Sequence, residues 1–427
     1  MNLFSYLRES RGLANTLKRL LAIASRFGVT SRRMENALRT FTAITRRYGC
    51  QPTLAATAVL LERYPGVFRR LSTEAELAVH GYVHTDYSLL DGEEQSQHMG
   101  QALKAFRAIG LQPDGFRAPY LRWNTASVQT AQHYRMTYGS NRCLHWDVLP
   151  AEGINPAARA AYEKGLLLYG SRPASQYPSL PSLVHGLLDI PASEPDDEAM
   201  VDRLALSPAE RIAVWQAMLQ ATYERGELLT LILHHERVLL CADALEALLR
   251  QARLHRPGVW IAPLRDIADW WLRRSQLRLA IECIGEGCFQ VVPPYSDGVA
   301  VLVRDAETQP AGSAWYGRWR LAPPGTFALH SWQVPVLSLS SRNDALRSYL
   351  EEEGFIVQGP DSGGLRIDGF DDFREEDKRP LLDYIEASDA ALVRLARWPG
   401  GARSALSVTG DIDAMTLLDF LRRPLEV

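Results

Sequence analysis

The chain has 427 residues, 46% hydrophobic and 23% charged, which exceeds one average domain and can bury a large core. Its formal net charge of -3 argues against general nucleic-acid binding, and no stretch reaches the roughly 18 apolar residues of a membrane span. The five cysteines (50, 143, 241, 283 and 288) are odd in number and scattered, which argues against a disulfide framework and fits a reducing compartment.

The first 50 residues carry ten Lys or Arg against two acids, Glu9 and Glu35, a local asymmetry more telling than the total. Residues 3 to 25 predict an amphipathic helix with Leu3, Phe4, Leu7, Leu17, Leu20, Leu21 and Ile23 on and near one face. Such a face packs on a sheet or touches a membrane surface. The opening lacks the charged start, long apolar core and cleavage site of a secretory signal, so a soluble cytoplasmic chain is expected, peripheral to the inner membrane face if that helix binds lipid.

Residues 30 to 275 then alternate. Met34 to Arg47 and Gln95 to Ile109 read as helices, and Glu76 to Val79 and Leu228 to Leu233 as strands, which implies a parallel α/β barrel or sheet. The run Glu76-Leu-Ala-Val-His80-Gly-Tyr-Val-His84 ends a strand in two imidazoles four residues apart. That spacing can turn both toward one divalent metal, although histidines so spaced are also found packed or solvated. Gly115-Phe-Arg117-Ala-Pro119-Tyr120 follows, a proline-rigidified turn that can hold a guanidinium still, with Leu121-Arg122-Trp123-Asn124 behind it. In Tyr138-Gly-Ser-Asn141 no acid appears, although Trp146-Asp147 comes next.

Between Pro150 and Leu204 the pattern breaks into a Pro- and Ser-rich excursion, read as a long loop over a groove. Its acidic run Glu194-Pro-Asp196-Asp197-Glu198 reads as a helix N-terminus, or else a cation site. The apolar run from Glu227 ends in Leu233-His234-His235, where a parallel sheet presents its functional groups. Residues 277 to 340 turn β-rich and suggest a small accessory domain. Within it Cys283 and Cys288 lack further ligands for a thiolate zinc site and read as small apolar strand residues. Asp344 to Glu353 and Pro380 to Trp398 read as helices flanking a short strand. At the end, Ser404-Ala-Leu-Ser-Val-Thr-Gly-Asp411-Ile-Asp413 is a short apolar strand followed by two carboxylates, an arrangement otherwise common as a helix-capping turn.

His80/His84, Arg117 to Tyr120 and Leu231 to His234 together resemble the polysaccharide deacetylase family, the carbohydrate esterases with the NodB homology domain, over roughly residues 30 to 275. That family opens with a strand ending in paired aspartates. No acidic pair precedes the histidines here, and Asp411 and Asp413 supply the motif from the chain's end, which implies a circular permutation. The resemblance therefore implies a distorted parallel (β/α) barrel in residues 1–275, an accessory β-rich domain in 276–342, and a segment 343–427 returning the first barrel strand at 404–413.

It further implies a divalent metal, zinc above all, held by His80, His84 and Asp413. Asp411, held by Arg117, would be the base and His234 the acid. Tyr120, Trp123 and Trp146 would line the substrate groove. The implied reaction releases acetate from an N-acetylated amino sugar in a glycan or lipid-linked precursor. The alternatives are a non-catalytic sugar-binding protein on the same fold, or hydrolysis of a formyl or other amide. Exchange of the terminal strand between two chains would make an oligomer.

Overall fold

The structure is a computed structural model that describes residues 25–150, 152–340 and 343–425. The basic amphipathic segment expected at 3–25 lies, save its last residue, outside the described residues.

A curled, mostly parallel sheet organises the molecule. Its strands are β1 (Thr53–Ala56), β2 (Glu76–Val79), β3 (Gly115–Phe116), β4 (Tyr138–Gly139), β5 (Leu187–Asp189), β6 (Leu228–Ile232), β7 (Val259–Ile261) and β8 (Ser404–Ile412). Their order is β6-β8-β1-β2-β3-β4-β5, with β7 also on β8, and Ser182–Val184 adds an antiparallel edge to β5. Every residue of β1, β2, β6 and β8 is buried, as expected of parallel strands covered on both faces, which read as continuous apolar runs. The fold is thus α/β with a (β/α)-barrel-like sheet, as the alternation of elements predicts.

Helices cover the outer face. In α1 (Arg32–Arg47) the buried Met34, Ala37, Leu38, Phe41 and Ile44 recur at three- and four-residue intervals, one stripe of a helix. A capping box between Asp91 and Glu94 starts α2 (Gly92–Ala108). Ser207 and Glu210 do the same for α3 (Pro208–Arg225), which Gly226 ends in the left-handed conformation at φ 67°. α3 packs against α4 (Val238–Leu254), and α4 against α1.

The strand nearest the chain's end sits at the heart of the sheet. Thr409 of β8 pairs with Ile232 on one edge and with Thr53 on the other, while Ser404–Leu406 pair with β7. Leu406 and Val408 are fully buried. Leu406→Ala should cost about 2–5 kcal/mol of stability, since the removed side chain leaves a cavity in a packed core. A urea-denaturation midpoint measures this, and an unchanged midpoint would mean that β8 is not embedded as described.

Three expectations are corrected. The segment 150–204 is not a loop: it forms a helix at Pro156–Leu168, contributes β5 to the main sheet, and pairs Ala192–Glu194 with Cys143–His145. Its strands are only two or three residues long and broken by proline, so their periodicity is invisible in the sequence. The helix expected over Pro380 to Trp398 spans Lys378–Ala387 and then gives way to a strand, Leu392–Leu395. That strand pairs antiparallel with Val301–Arg304 of the β-rich segment, so a boundary at 342 divides a shared sheet. Tertiary pairing overrides local pattern here. Cys283 is exposed rather than packed, and the Cys288 sulfur lies 3.2 Å from His330 Nδ1. Among the described residues no helix is long and apolar enough to cross a membrane.

Candidate active site

Side chains at the carboxyl ends of neighbouring parallel strands converge by topology. His80 follows β2, Arg117 follows β3, Ser140 and Asn141 follow β4, His234 follows β6, and Asp411 and Asp413 lie at the end of β8. In parallel α/β sheets this edge is where ligands bind.

Asp413 stands between the two histidines. Its Oδ1 is 3.4 Å from His80 Nε2 and its Oδ2 is 3.3 Å from His84 Nε2, and the three ligand atoms lie within 4.8 Å of one another. His80 Nδ1 lies 2.8 Å from the Arg117 carbonyl oxygen, which only accepts, so Nδ1 carries the proton and Nε2 of the neutral ring presents a lone pair. It presents that lone pair to Asp413 Oδ1, a buried atom with no hydrogen-bond partner. Two acceptors facing each other in a buried site fit a cation between them. Two imidazoles and one carboxylate are the donor set of an open zinc-type site, and a carbonyl fixing the distal ring nitrogen is the usual support for such a ligand. Burial would push the Asp413 carboxyl up, but His84 and Arg423 outweigh it and hold it well below the usual range.

Asp411 is 6% exposed and Arg117 is 2% exposed. Arg117 Nη1 donates to Asp411 Oδ1 at 2.9 Å and to Thr409 Oγ1 at 2.8 Å, and Nη2 donates to Ser140 Oγ at 2.9 Å. The guanidinium is thereby locked, and it overcomes the effect of burial to lower the Asp411 pKa. Ala118 N–H donates to Asn141 Oδ1 at 2.7 Å, and Asn141 N–H to Asp189 at 2.9 Å. The acid-free Tyr138 to Asn141 segment therefore buttresses the arginine turn, and the partner of Arg117 is Asp411.

His234 leans on a residue the sequence reading did not assign. Asp197, fully buried, receives the His234 backbone N–H at 3.1 Å and lies 2.8 Å from its Nδ1. Burial lowers the His234 pKa, but the Asp197 carboxylate outweighs it and raises the pKa well above the ordinary value. The signal was the acidic run 194–198, read as a helix start. Half of that reading holds, since Asp196 Oδ1 accepts from Ala199 N–H at 2.7 Å at the head of the short helix Ala199–Arg203. Burial, reinforced by Asp197, pushes Asp196 up to about 7. His235 points the other way: its Nδ1 lies 3.1 Å from the Asp411 carbonyl oxygen, and burial lowers its pKa to about 4, so it is a neutral core residue.

Tyr120 adopts the left-handed conformation at φ 60°, uncommon for a side chain of this size, and its ring meets His84 edge-on at 4.3 Å. Trp123 is half-buried against the main core. Trp146 is 3% exposed with the Arg225 guanidinium over its ring, which leaves no open face for a sugar. A second residue missed by the sequence reading is Arg423, whose Nη2 lies 2.5 Å from His84 Nδ1 and whose Nη1 lies 3.3 Å from Asp413 Oδ2. Nothing in the local sequence marks it, because its partners are more than three hundred positions away in one case.

Residues 30–139 match the family model of polysaccharide deacetylases. The chain is similar to solved structures assigned as polysaccharide deacetylases from Mycobacterium smegmatis and from Pseudomonas aeruginosa PAO1. The first is 20% identical with a TM-score of 0.43, covering 55% of this chain and 76% of that one. The second is 20% identical with a TM-score of 0.45, covering 60% and 77%. An allantoinase structure is 18% identical with a TM-score of 0.44, covering 60% and 76%. No curated protein matches. The matched segment, about a quarter of the chain, contains His80, His84 and Arg117, and over it the chain is similar to the polysaccharide deacetylases.

Proposed function

We propose that the chain is a metal-dependent carbohydrate N-deacetylase that releases acetate from an N-acetylated amino sugar of a glycan or glycan precursor. The observation that carries this reading is the meeting of Asp413 with His80 and His84 beside the Arg117–Asp411 pair. His80, His84 and Asp413 would hold the ion, zinc by the character of the donor set. When bound, a divalent cation supplies Lewis acidity toward an amide carbonyl and a water molecule.

The remaining steps belong to the side chains. Asp411, kept ionised by Arg117, accepts the proton of the attacking water. His234, kept protonated by Asp197, donates a proton to the departing amine. The two groups need opposite protonation states at one pH, and their environments drive their pKa values apart in the required directions. The Tyr120 N–H, presented by the left-handed turn, donates to the carbonyl oxygen as charge builds on it. The late strand β8 takes the place of the family's opening strand, which makes the chain a circular permutant.

Acetate release from N-acetylated chito-oligosaccharides, with and without chelator, tests the activity. Chelator-sensitive release is expected, and metal-loaded protein that releases none from any N-acetylated glycan tried would remove the deacetylase assignment. Asp197→Asn tests the acid. Its carboxylate raises the His234 pKa, so its loss lowers that pKa, and the alkaline limb of kcat should move to lower pH by about one unit or more. An unmoved limb would take His234 out of the general-acid role.

A further inference from the structure

Arg423 occupies a position at odds with a metal bound at His84. Arginine has only donors, so at 2.5 Å His84 Nδ1 must accept. A neutral imidazole has one ring proton, which then sits on Nε2, the nitrogen that faces Asp413 Oδ2 at 3.3 Å. That nitrogen has no lone pair for an ion. Coordination through Nε2 with Nδ1 still accepting would require an imidazolate, which a ring of this kind does not become near neutral pH. The same guanidinium lies 3.3 Å from Asp413 Oδ2, so it also places a positive charge on the carboxylate ligand. His80 shows the opposite arrangement, with its Nδ1 proton on a carbonyl and Nε2 free.

We propose that Arg423 competes with the divalent ion for His84 and Asp413, so that metal loading requires its guanidinium to leave the site. The inference rests on the metal reading proposed above. The chain is built to hold Arg423 there and still let it go. The short helix α5 (Leu417–Arg422) is pinned at its start: Thr416 and Asp419 form a capping box, and Asp419 binds Arg63 at 3.0 Å and Tyr64 at 2.8 Å. Phe420 stacks on Phe27 with ring centroids 5.3 Å apart. Beyond that anchor Leu421 and Leu425 are exposed, at 52% and 82%, and Arg423 itself is 15% exposed at its side chain. Rotation of one side chain, or of the last turn, frees His84 without disturbing β8. The His84 ring then turns its proton to Nδ1 and its lone pair to Nε2.

Zinc affinity measured by chelator competition on the full chain tests this. Arg423→Ala and Arg423→Met, the second keeping the bulk of the stem, should each bind Zn2+ about tenfold more tightly or better, on the scale of other changes to groups that orient metal ligands. Equal or weaker binding by both folded variants would overturn the proposal. Adding Asp413→Ala in each background separates the two claims: if it leaves affinity unchanged, the metal reading itself fails. A second measurement needs no variant. Long-range 1H–15N spectra of the metal-free wild-type chain should show His84 protonated at Nε2, with the proton at Nδ1 after Zn2+ is added. Finding it at Nδ1 before addition would overturn the proposal.

Discussion

Asp413→Ala should reduce bound zinc from near one equivalent to near none and abolish acetate release. The substitution removes the one anionic donor of the group, and with it the atom that makes His80 Nε2 face a second acceptor. Two neutral imidazoles, one of them engaged by Arg423, cannot replace it. The variant also breaks the contacts of Asp413 with His84 and Arg423, so its melting temperature must be followed alongside. The sign of the pH effect is fixed by the depressed pKa of Asp413. Its carboxylate contributes stability above the ordinary carboxylate range and loses it as pH falls through the lower folded value, so the variant should lose least relative to wild type in acid. Zinc retained at full occupancy in a folded Asp413→Ala protein would mean that the ion is held elsewhere.

His234→Ala should leave zinc binding intact and lower kcat by about 10²–10⁴, the range expected of one general acid. The imidazolium is not among the three proposed ligands, and its tie is to Asp197. A split between retained metal and lost turnover is therefore the signature. Comparison with Asp197→Asn sharpens it, since that variant keeps the ring and changes only when it is charged. Loss of zinc with His234→Ala would move the residue from proton donor to metal ligand.

Much of this site was legible in the sequence because its residues sit in short runs with a mechanism attached. His80 and His84 end an apolar strand, Arg117 precedes a proline turn, and Asp411 and Asp413 end another strand. The resemblance of those runs to the polysaccharide deacetylases implied that the tail and the histidines meet, and the pairing of β8 with β1 and β6 brings them together. What was hidden is what depends on distance along the chain. Asp197 orients His234 only because a segment of very short strands folds beneath β6, and a Pro- and Ser-rich composition gives no period from which to infer that. Arg423 reaches His84 from the far end of the chain. Trp146 looked like a groove residue by order alone, yet its side chain is buried under Arg225. Leu392–Leu395 looked like a helix end until paired with Val301–Arg304, because a fully buried strand carries no alternation to betray it.

The proposed chemistry turns on the position of one ion, and anomalous diffraction from a crystal of the zinc-loaded chain reads that position directly. A single peak is expected about 2.0–2.2 Å from Nε2 of His80, Nε2 of His84 and a carboxylate oxygen of Asp413. A peak bound by other residues, or none at these three in a crystal grown with saturating zinc, would contradict it.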